Sequence, residues 1–244
     1  IGARVEHRQD MVNRSQYGAA ASHPALGAAD YKLAVHTPDG RGCYTFCMCP
    51  GGEVIAAASQ PGGLCVNGMS YHARDGRNAN AALLVTLNPR DFPDSHPLAG
   101  MYWQRQIEEK AYAVSNSYRA PAQLVGDFLK NTPSTCHGAV KPTYRPGVTW
   151  CDLHTVLPEK ITSALKTAIP QLNGNLAGFS NPDAVLTAPE TRSSSPVRIL
   201  RSEQKQGGTL AGFYPAGEGA GYAGGIMSAA IDGIQCAESL IENL

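Results

Sequence analysis

Several common features are missing from this sequence, and each absence excludes a class of protein. No window approaches the roughly 18 uninterrupted apolar residues of a membrane-spanning helix. The N-terminus has no basic segment followed by an apolar one, so no secretory signal peptide is predicted. Lys+Arg and Asp+Glu each number 20, and this balance gives no general attraction to nucleic acids or anionic membranes. These absences favour a globular cytoplasmic protein with neither kind of partner.

Catalytic signatures are sparse as well. There is no Walker-type phosphate loop, no G-x-S-x-G nucleophile elbow and no H-x-x-x-H pattern among the seven histidines. The seven cysteines are odd in number, and a chain of 244 residues does not need disulfide staples. No two cysteine pairs have the spacing of metal ligands. Reduced thiols and the absence of a metal site are therefore predicted.

The local patterns predict a mixed fold of the α+β class. Hydrophobic residues make up 43% of the chain, which is enough for a core. The chain opens on Ile1 rather than Met, and its first residues already have the pattern of a strand interior, which indicates a piece of a longer protein. Strands are predicted over residues 1–6, 31–36, 43–49, 53–58, 64–69, 81–87, 184–187, 197–200 and 210–214. Helices are predicted over residues 10–16, 98–114, 123–130, 157–169 and 225–242, with Pro170 ending the fourth.

The most informative segment is GFYPAGEGAGYAGGIMSAAIDG, residues 212–233. A predicted strand ends near Pro215, five glycines follow between Gly217 and Gly225, and the last helix then begins. Glycines let a backbone approach a ligand closely, and a helix N-terminus offers unpaired N–H groups to an electron-rich ligand. The segment therefore predicts a cofactor contact, with a ligand-free tight turn as the alternative.

This segment contains a formal G-x-G-x-x-G at residues 219–224. A dinucleotide-binding fingerprint also needs a second strand about twenty residues later that bears a ribose-binding acid. Here only the last helix follows, so the turn is not predicted to be that fingerprint. We expect the helix to begin within one residue of Gly225 and to continue to about Ile241. Its apolar stripe is expected to pack closely at Gly233: Ile226, Ala230, Gly233, Ala237 and Ile241.

Nearly the whole chain resembles a family of FAD-dependent dehydrogenases of largely undefined substrate. The resemblance rests on long blocks that occur in order: IGARVEH (1–7), YTFCMCPGGEV (44–54), GLCVNGMS (63–70), RDGRNANAALLVT (74–86), NPRDF (88–92), HPLAGMYWQRQIEEKAY (96–112), APAQLVGDFL (120–129), PTYRPGVTWCDL (142–153), TRSSSPVRIL (191–200) and the C-terminal glycine segment. It implies that the chain is the C-terminal part of an FAD-dependent oxidoreductase. The partner would be an N-terminal Rossmann half of the same protein, without which this chain is expected to be inactive.

The resemblance also implies domain and cofactor assignments. Residues 1–180 would form a substrate-side insert domain, β-rich and then helical. Residues 181–244 would return into the last strand and helix of an α/β FAD-binding domain. Gly217 and Glu218 would lie by the ribityl–diphosphate, and Gly224, Gly225 and Ile226 by the flavin ring, with Gly219 and Gly221 completing the FAD-binding set. The implied reactants are a small-molecule substrate and NAD(P)H as a candidate electron donor.

Two further clusters are candidates for catalysis. Cys47 and Cys49 stand at i and i+2 of a predicted strand and should share a face. They could form a redox pair or line a substrate pocket near the flavin, or they could be buried structural thiols. Arg192 lies in TRSSSPVR, a segment with two cations and several hydroxyls, which could recognise an anionic substrate or a flavin phosphate. An ordinary polar loop is the alternative.

Two functions follow from these observations. The first is an FAD-dependent oxidoreductase with Cys47, Cys49 and Arg192 as candidate catalytic residues. The second is a non-catalytic binding or structural module that descends from a flavoprotein.

Overall fold

The structure is a computed structural model that describes residues 1–208 and 210–243. These residues form two compact units. The first comprises residues 1–87 and 105–191, and the second comprises residues 88–104 and the chain from residue 192 onward. The division into residues 1–180 and 181–244 stays a prediction.

A mostly antiparallel sheet forms the centre of the first unit. Its strand order is β2-β3-β6-β1-β9-β7-β8, and within it only the β7–β8 pair is parallel. Strands β4 and β5 pair separately as a hairpin. The bounds are β1 Gly2–Arg8, β2 Ala34–His36, β3 Gly42–Cys49, β4 Gly52–Ala56, β5 Val66–Ser70, β6 Asn78–Val85, β7 Ala120–Leu124, β8 Val148–Trp150 and β9 Val185–Glu190.

The α-helices of the described chain confirm most of the predicted helical segments. Their bounds are α1 Gln9–Tyr17, α2 Ala99–Ala113, α3 Val125–Lys130, α4 Glu159–Asn175 and α5 Ile226–Glu242. Among the described residues, none of these helices has both the length and the apolar character needed to cross a membrane. The coarse fold class, mixed α and β, is therefore correct.

One part of the core of the first unit lies where α4 packs on the sheet. Every residue of β6 is buried, and the Sγ of Cys43 on β3 lies 3.8 Å from the carbonyl oxygen of Ala164 on α4. The predicted apolar stripe of α4 is buried, including Ile161, Leu165 and Ile169. The apolar residues of α4 recur with the period of a helix and are buried together on one face. Their burial explains why this segment is helical.

Pro170 does not end α4, contrary to the prediction. It lies inside the helix, which continues for another turn to Asn175. Proline removes one backbone hydrogen bond and usually kinks or ends a helix. Here Leu172 and Leu176 beyond it are buried, and the N–H of Leu176 donates to the carbonyl of Leu172 at 2.9 Å. Burial of these side chains offsets the lost bond.

The helix predicted over residues 123–130 is confirmed but begins at Val125, because residues 120–124 form a strand. Two other predictions are wrong: the segments 197–200 and 210–214 are not strands. A strand needs a neighbouring strand for its backbone hydrogen bonds. The Gly207 N–H instead donates to the Phe213 carbonyl at 2.7 Å, and the Phe213 N–H donates to the Leu210 carbonyl at 3.3 Å.

Candidate functional site

The glycine-rich segment of the second unit forms two overlapping turns that lead into α5. Gly217 has a φ of 71° and Gly221 a φ of 82°, both in the left-handed region that favours glycine. The Gly221 N–H donates to the Glu218 carbonyl at 2.9 Å, and the Tyr222 N–H donates to the Gly217 carbonyl at 3.0 Å. Glycine at 217 and 221 is thus required by the chain's own backbone.

An ion pair from elsewhere in the second unit holds this segment in place. The Asp232 carboxylate on α5 accepts a hydrogen bond from the Gly217 N–H at 2.8 Å. The same carboxylate is 2.5 and 2.9 Å from the two terminal nitrogens of Arg201. The Arg201 guanidinium also donates to the Pro215 carbonyl at 2.8 Å and lies 3.6 Å from the centroid of the Tyr222 ring. Asp232 therefore ties the start of the glycine segment to α5.

Sequence reasoning missed both members of this pair. The available signal was an acidic residue in the middle of an otherwise apolar helix, because such a residue is expected to be paired if it is buried. Asp232 is 8% exposed, and the hydrogen bond from Arg201, followed by the one from the Gly217 backbone, lowers its pKa to about 2.

Replacing Asp232 by Asn should destabilise the second unit by about 3 kcal/mol, because Arg201 would keep its charge without a counter-ion. The folded pKa of Asp232, about 2, lies below the ordinary value of an aspartate. Its contribution is therefore fully present above about pH 5 and is lost as the pH falls toward 2. Urea unfolding at pH 7 and pH 3 measures both effects. Glu238→Gln, at an exposed position of the same helix, is the control. Equal stability of the two variants at pH 7 would refute the assigned role.

The first turn of α5 has backbone N–H groups without hydrogen-bond acceptors among the described residues. The helix begins at Ile226 with Gly225 as its N-cap, which confirms that prediction. Within the part of the chain that the structure describes, the N–H groups of Ile226, Met227 and Ser228 meet no acceptor. The Ser228 hydroxyl instead closes the first turn on Gly225, donating to its carbonyl at 2.9 Å.

At three of the glycines, the described chain would accommodate a Cβ atom without a clash. A Cβ at Gly219 would meet no atom within 4 Å, and a Cβ at Gly224 or Gly225 would have nearest neighbours at 3.9 and 3.7 Å. None of the three has a left-handed φ. A Cβ at Gly221, in contrast, would clash with the Val197 carbonyl oxygen. The absence of side chains at 219, 224 and 225 thus leaves room for something outside the described chain.

The TRSSSPVR segment lies beside these open glycines. The Arg198 Nε donates to the Gly221 carbonyl at 3.0 Å, and the Ile199 N–H donates to the Ala220 carbonyl at 3.1 Å. Arg198 also lies over the Tyr222 ring, with its guanidinium carbon 4.9 Å from the centroid. The structure therefore brings together two clusters that the sequence suggested separately, and it places a cation next to the glycine segment.

The outer face of α5 is apolar and exposed. The predicted stripe is not packed: Ile226 is 83% exposed and Ile241 is 70% exposed. Gly233 is not a close-packing position either, because a Cβ there would meet no atom within 4 Å. The helix packs through Asp232 and Cys236 instead. The exposed apolar side chains of the helix are Ile226, Met227, Ile231, Ile234, Leu240 and Ile241.

Cys47 and Cys49 do not share a face of β3, contrary to the prediction. The pairing of β3 with β6 shifts register between Phe46 and Cys49, and Cys47 has a φ of 41°. This bulge leaves Cys47 exposed and Cys49 buried. Burial raises the pKa of the Cys49 thiol, which lowers its thiolate fraction. The proximity of either sulfur to the glycine segment stays a prediction.

The remaining predicted site residues are distributed as follows. Gly217 is buried and Glu218 is exposed at the turn, where partial desolvation raises the pKa of its carboxyl. Arg192 is half-buried at the start of the polar segment. All seven cysteines are thiols. A catalytic role for Cys47, Cys49 or Arg192 stays a prediction.

Comparison with known proteins identifies the family. Residues 1–193 match the family described as FAD-dependent protein, C-terminal domain-like. The chain belongs to this family. It is also 50% identical over 244 residues to an uncharacterized protein of Clostridium beijerinckii. That alignment covers 99% of this chain and 46% of the relative, so the chain spans less than half of the relative's length. The glycine segment lies beyond the family match but within the alignment to this relative.

Proposed function

We propose that this chain is the C-terminal part of an FAD-dependent oxidoreductase and that its glycine segment forms the flavin-ring side of the FAD pocket. The observation that carries the proposal is the combination of open glycines at 219, 224 and 225 with unpaired N–H donors at the start of α5. The family assignment supports FAD as the cofactor of the complete protein. The substrate and the electron donor, with NAD(P)H as the candidate, remain proposals.

The residues present fit a flavin on steric and electrostatic grounds. Gly217 and Glu218 would lie by the ribityl–diphosphate, where the Arg198 guanidinium adds a cation near the phosphates. Gly224, Gly225 and Ile226 would meet the ring. When bound, the flavin supplies hydride chemistry that side chains lack. The helix N-terminus would favour the negative charge that a reduced flavin gathers at its N1/O2 edge.

The exposed apolar face of α5 supports the existence of a partner segment. Six large apolar side chains of this helix are exposed, and contiguous apolar surface of this kind marks an interaction site. The chain spans 46% of its relative, whose remaining length could supply a covering domain. We propose that a Rossmann half of the same protein packs on this face and binds the adenine and most of the diphosphate.

One observation favours a non-catalytic module as the second candidate. The family match ends at residue 193, before the glycine segment begins. The family assignment therefore does not reach the residues on which flavin binding would depend. Under this hypothesis the domain keeps the fold of the family, serves as a binding or structural domain, and binds no flavin.

Flavin content separates the two candidates. We expect the complete protein to purify yellow or to take up FAD with one flavin per chain. We expect residues 1–244 alone to bind FAD weakly, because most diphosphate and adenine contacts would be missing. Absorbance spectra and titration followed by FAD fluorescence measure both. A complete protein that neither carries nor takes up FAD would favour the non-catalytic module, and tight binding by residues 1–244 alone would refute the proposed division of the site.

A further inference from the structure

We propose that a basic pocket in the first unit binds a small organic polyanion, a molecule with two or more phosphate or carboxylate groups. The pocket has a volume of about 670 Å³. It is lined by the start of β4, residues 76–78 at the start of β6, Arg119 just before β7, and residues between 137 and the end of β8. Ligand pockets for small molecules fall in the same range of roughly 300–1,000 Å³.

The charge of the lining is strongly one-sided. In the described chain it includes Arg77, Arg119, Lys141 and Arg145, together with His137. Glu53 is the one carboxylate in this lining. The whole chain has equal numbers of acidic and basic residues, so this excess is local. A concave surface lined by one sign of charge focuses its potential and raises the local concentration of the opposite ion.

The cations are available to a ligand. Within the described residues, the side chains of Arg77, Lys141 and Arg145 make no ion pair and no hydrogen bond, and all three are exposed. Surface arginines in a neutral protein are often paired with carboxylates. Here three cations in the lining of one pocket lack such partners, and the two guanidinium groups can each bind a phosphate or carboxylate through two N–H groups.

A buried layer under the pocket holds its loop in one conformation. The Glu6 carboxylate accepts hydrogen bonds from the Thr143 hydroxyl at 2.6 Å, the Thr143 N–H at 3.1 Å and the Asn78 amide at 3.1 Å. The Thr143 hydroxyl also accepts from the Val54 N–H at 2.8 Å. The Asn78 amide donates to the Lys141 carbonyl at 2.9 Å. The backbone that carries Lys141 and Arg145 is therefore anchored to β1, β4 and β6, as a preformed site requires.

Two further groups suit an organic ligand rather than a simple ion. Asn78 lines the pocket, and its buried Oδ1 atom has no hydrogen-bond partner among the described residues. Half-buried Trp150 contributes apolar surface to the wall. The pocket lies within the first unit, and the binding of an anion to it is measurable without a flavin signal. This site therefore adds to the proposed function.

Calorimetric titration of the complete protein with pyrophosphate and with tricarballylate tests the proposal. We expect at least one probe to bind, with a Kd that rises with salt concentration. Lys141→Gln and Arg145→Gln should each weaken that binding by about tenfold or more, since each removes a charge-assisted contact. A response to pyrophosphate alone assigns phosphate groups to the ligand, and a response to tricarballylate alone assigns carboxylates.

The controls remove the same charges elsewhere. Lys130→Gln and Arg90→Gln change exposed residues outside the pocket and should leave binding unchanged. Thermal melting of all four variants checks that each is folded. The proposal is overturned if neither probe binds, if pocket and control variants lose affinity equally, or if the pocket binds a single-stranded oligonucleotide but neither small anion.

Discussion

Replacing Arg4 by Met is expected to destabilise the first unit by about 3–5 kcal/mol, the cost of leaving one member of a buried ion pair alone. Arg4 is fully buried on β1, and its Nε lies 2.5 Å from an oxygen of Glu190 on β9. Its guanidinium also donates to the Cys47 carbonyl at 2.7 Å and to the Asn67 side chain at 2.6 Å. One side chain therefore connects the central sheet, the bulge of β3 and the hairpin of β4 and β5.

The pH dependence of this variant follows from the state of Glu190. Burial raises the pKa of the Glu190 carboxyl, and the nearby Arg4 only partly opposes this. Without Arg4 the carboxylate is still less favourable, so the stability of Arg4→Met should recover as the pH falls and Glu190 becomes protonated. Chemical denaturation at pH 7 and pH 5 measures the difference.

A second ion pair of the first unit provides the control for Arg4. Arg8 pairs with Asp10 at 3.1 Å, but the two side chains are 42% and 47% exposed. Arg8→Met should therefore cost about 0–1 kcal/mol. The double variant Arg4→Met/Glu190→Leu should recover most of the loss, because it removes both charges. Equal stability of the Arg4 and Arg8 variants would contradict the role assigned to the buried pair.

Local patterns in the sequence were sufficient for the parts of the fold that depend on neighbours along the chain. The stripe with Ile161, Leu165 and Ile169 predicted α4, and the glycines before Ile226 predicted the start of α5. In each case the hydrophobic period or the turn residues act within a few positions. The same reasoning found the glycine segment as the most informative part of the chain.

The misses all depend on contacts between distant residues. Strand order places β1 between β6 and β9, and no local signal specifies such pairing. The bulge at Cys47 accompanies the hydrogen bond from Arg4, 43 residues away, to its carbonyl. The ion pair of Arg201 with Asp232 likewise joins residues 31 positions apart. A pattern of residue types cannot show which side chains will meet across such separations.

The candidate site also has one part that the sequence predicted and one part that required the structure. The glycines were predicted from composition and spacing, but the distinction among them required the coordinates. Glycine is needed at position 221 because its φ is left-handed and because a Cβ there would clash with the Val197 carbonyl oxygen. A Cβ at Gly224 or Gly225 would clash with no atom of the described chain. The basic pocket was not predicted, because its cations come from segments that are separated in sequence by more than 60 residues and meet only in the fold (Arg77 and Arg145).

The FAD affinity of the complete protein carrying Gly225→Val shows whether the glycine segment contacts a flavin. The chain itself accommodates this change, because Gly225 has an extended backbone with φ −160° and the nearest atom to an added Cβ is the Ser228 hydroxyl at 3.7 Å. Any loss of FAD binding therefore reports a ligand against the glycine segment. The matched control is Gly27→Val, at an exposed glycine where a Cβ would meet no atom within 4 Å.

We expect Gly225→Val to raise the Kd for FAD by at least about tenfold, equivalent to about 1.4 kcal/mol, with the melting temperature of the apoprotein lowered only slightly by valine at the helix N-cap. Gly27→Val should leave both quantities at their wild-type values. Fluorescence titration of the two apoproteins gives the comparison. If Gly225→Val binds FAD as tightly as Gly27→Val, the glycine segment does not contact the flavin and the proposed function of this chain is wrong.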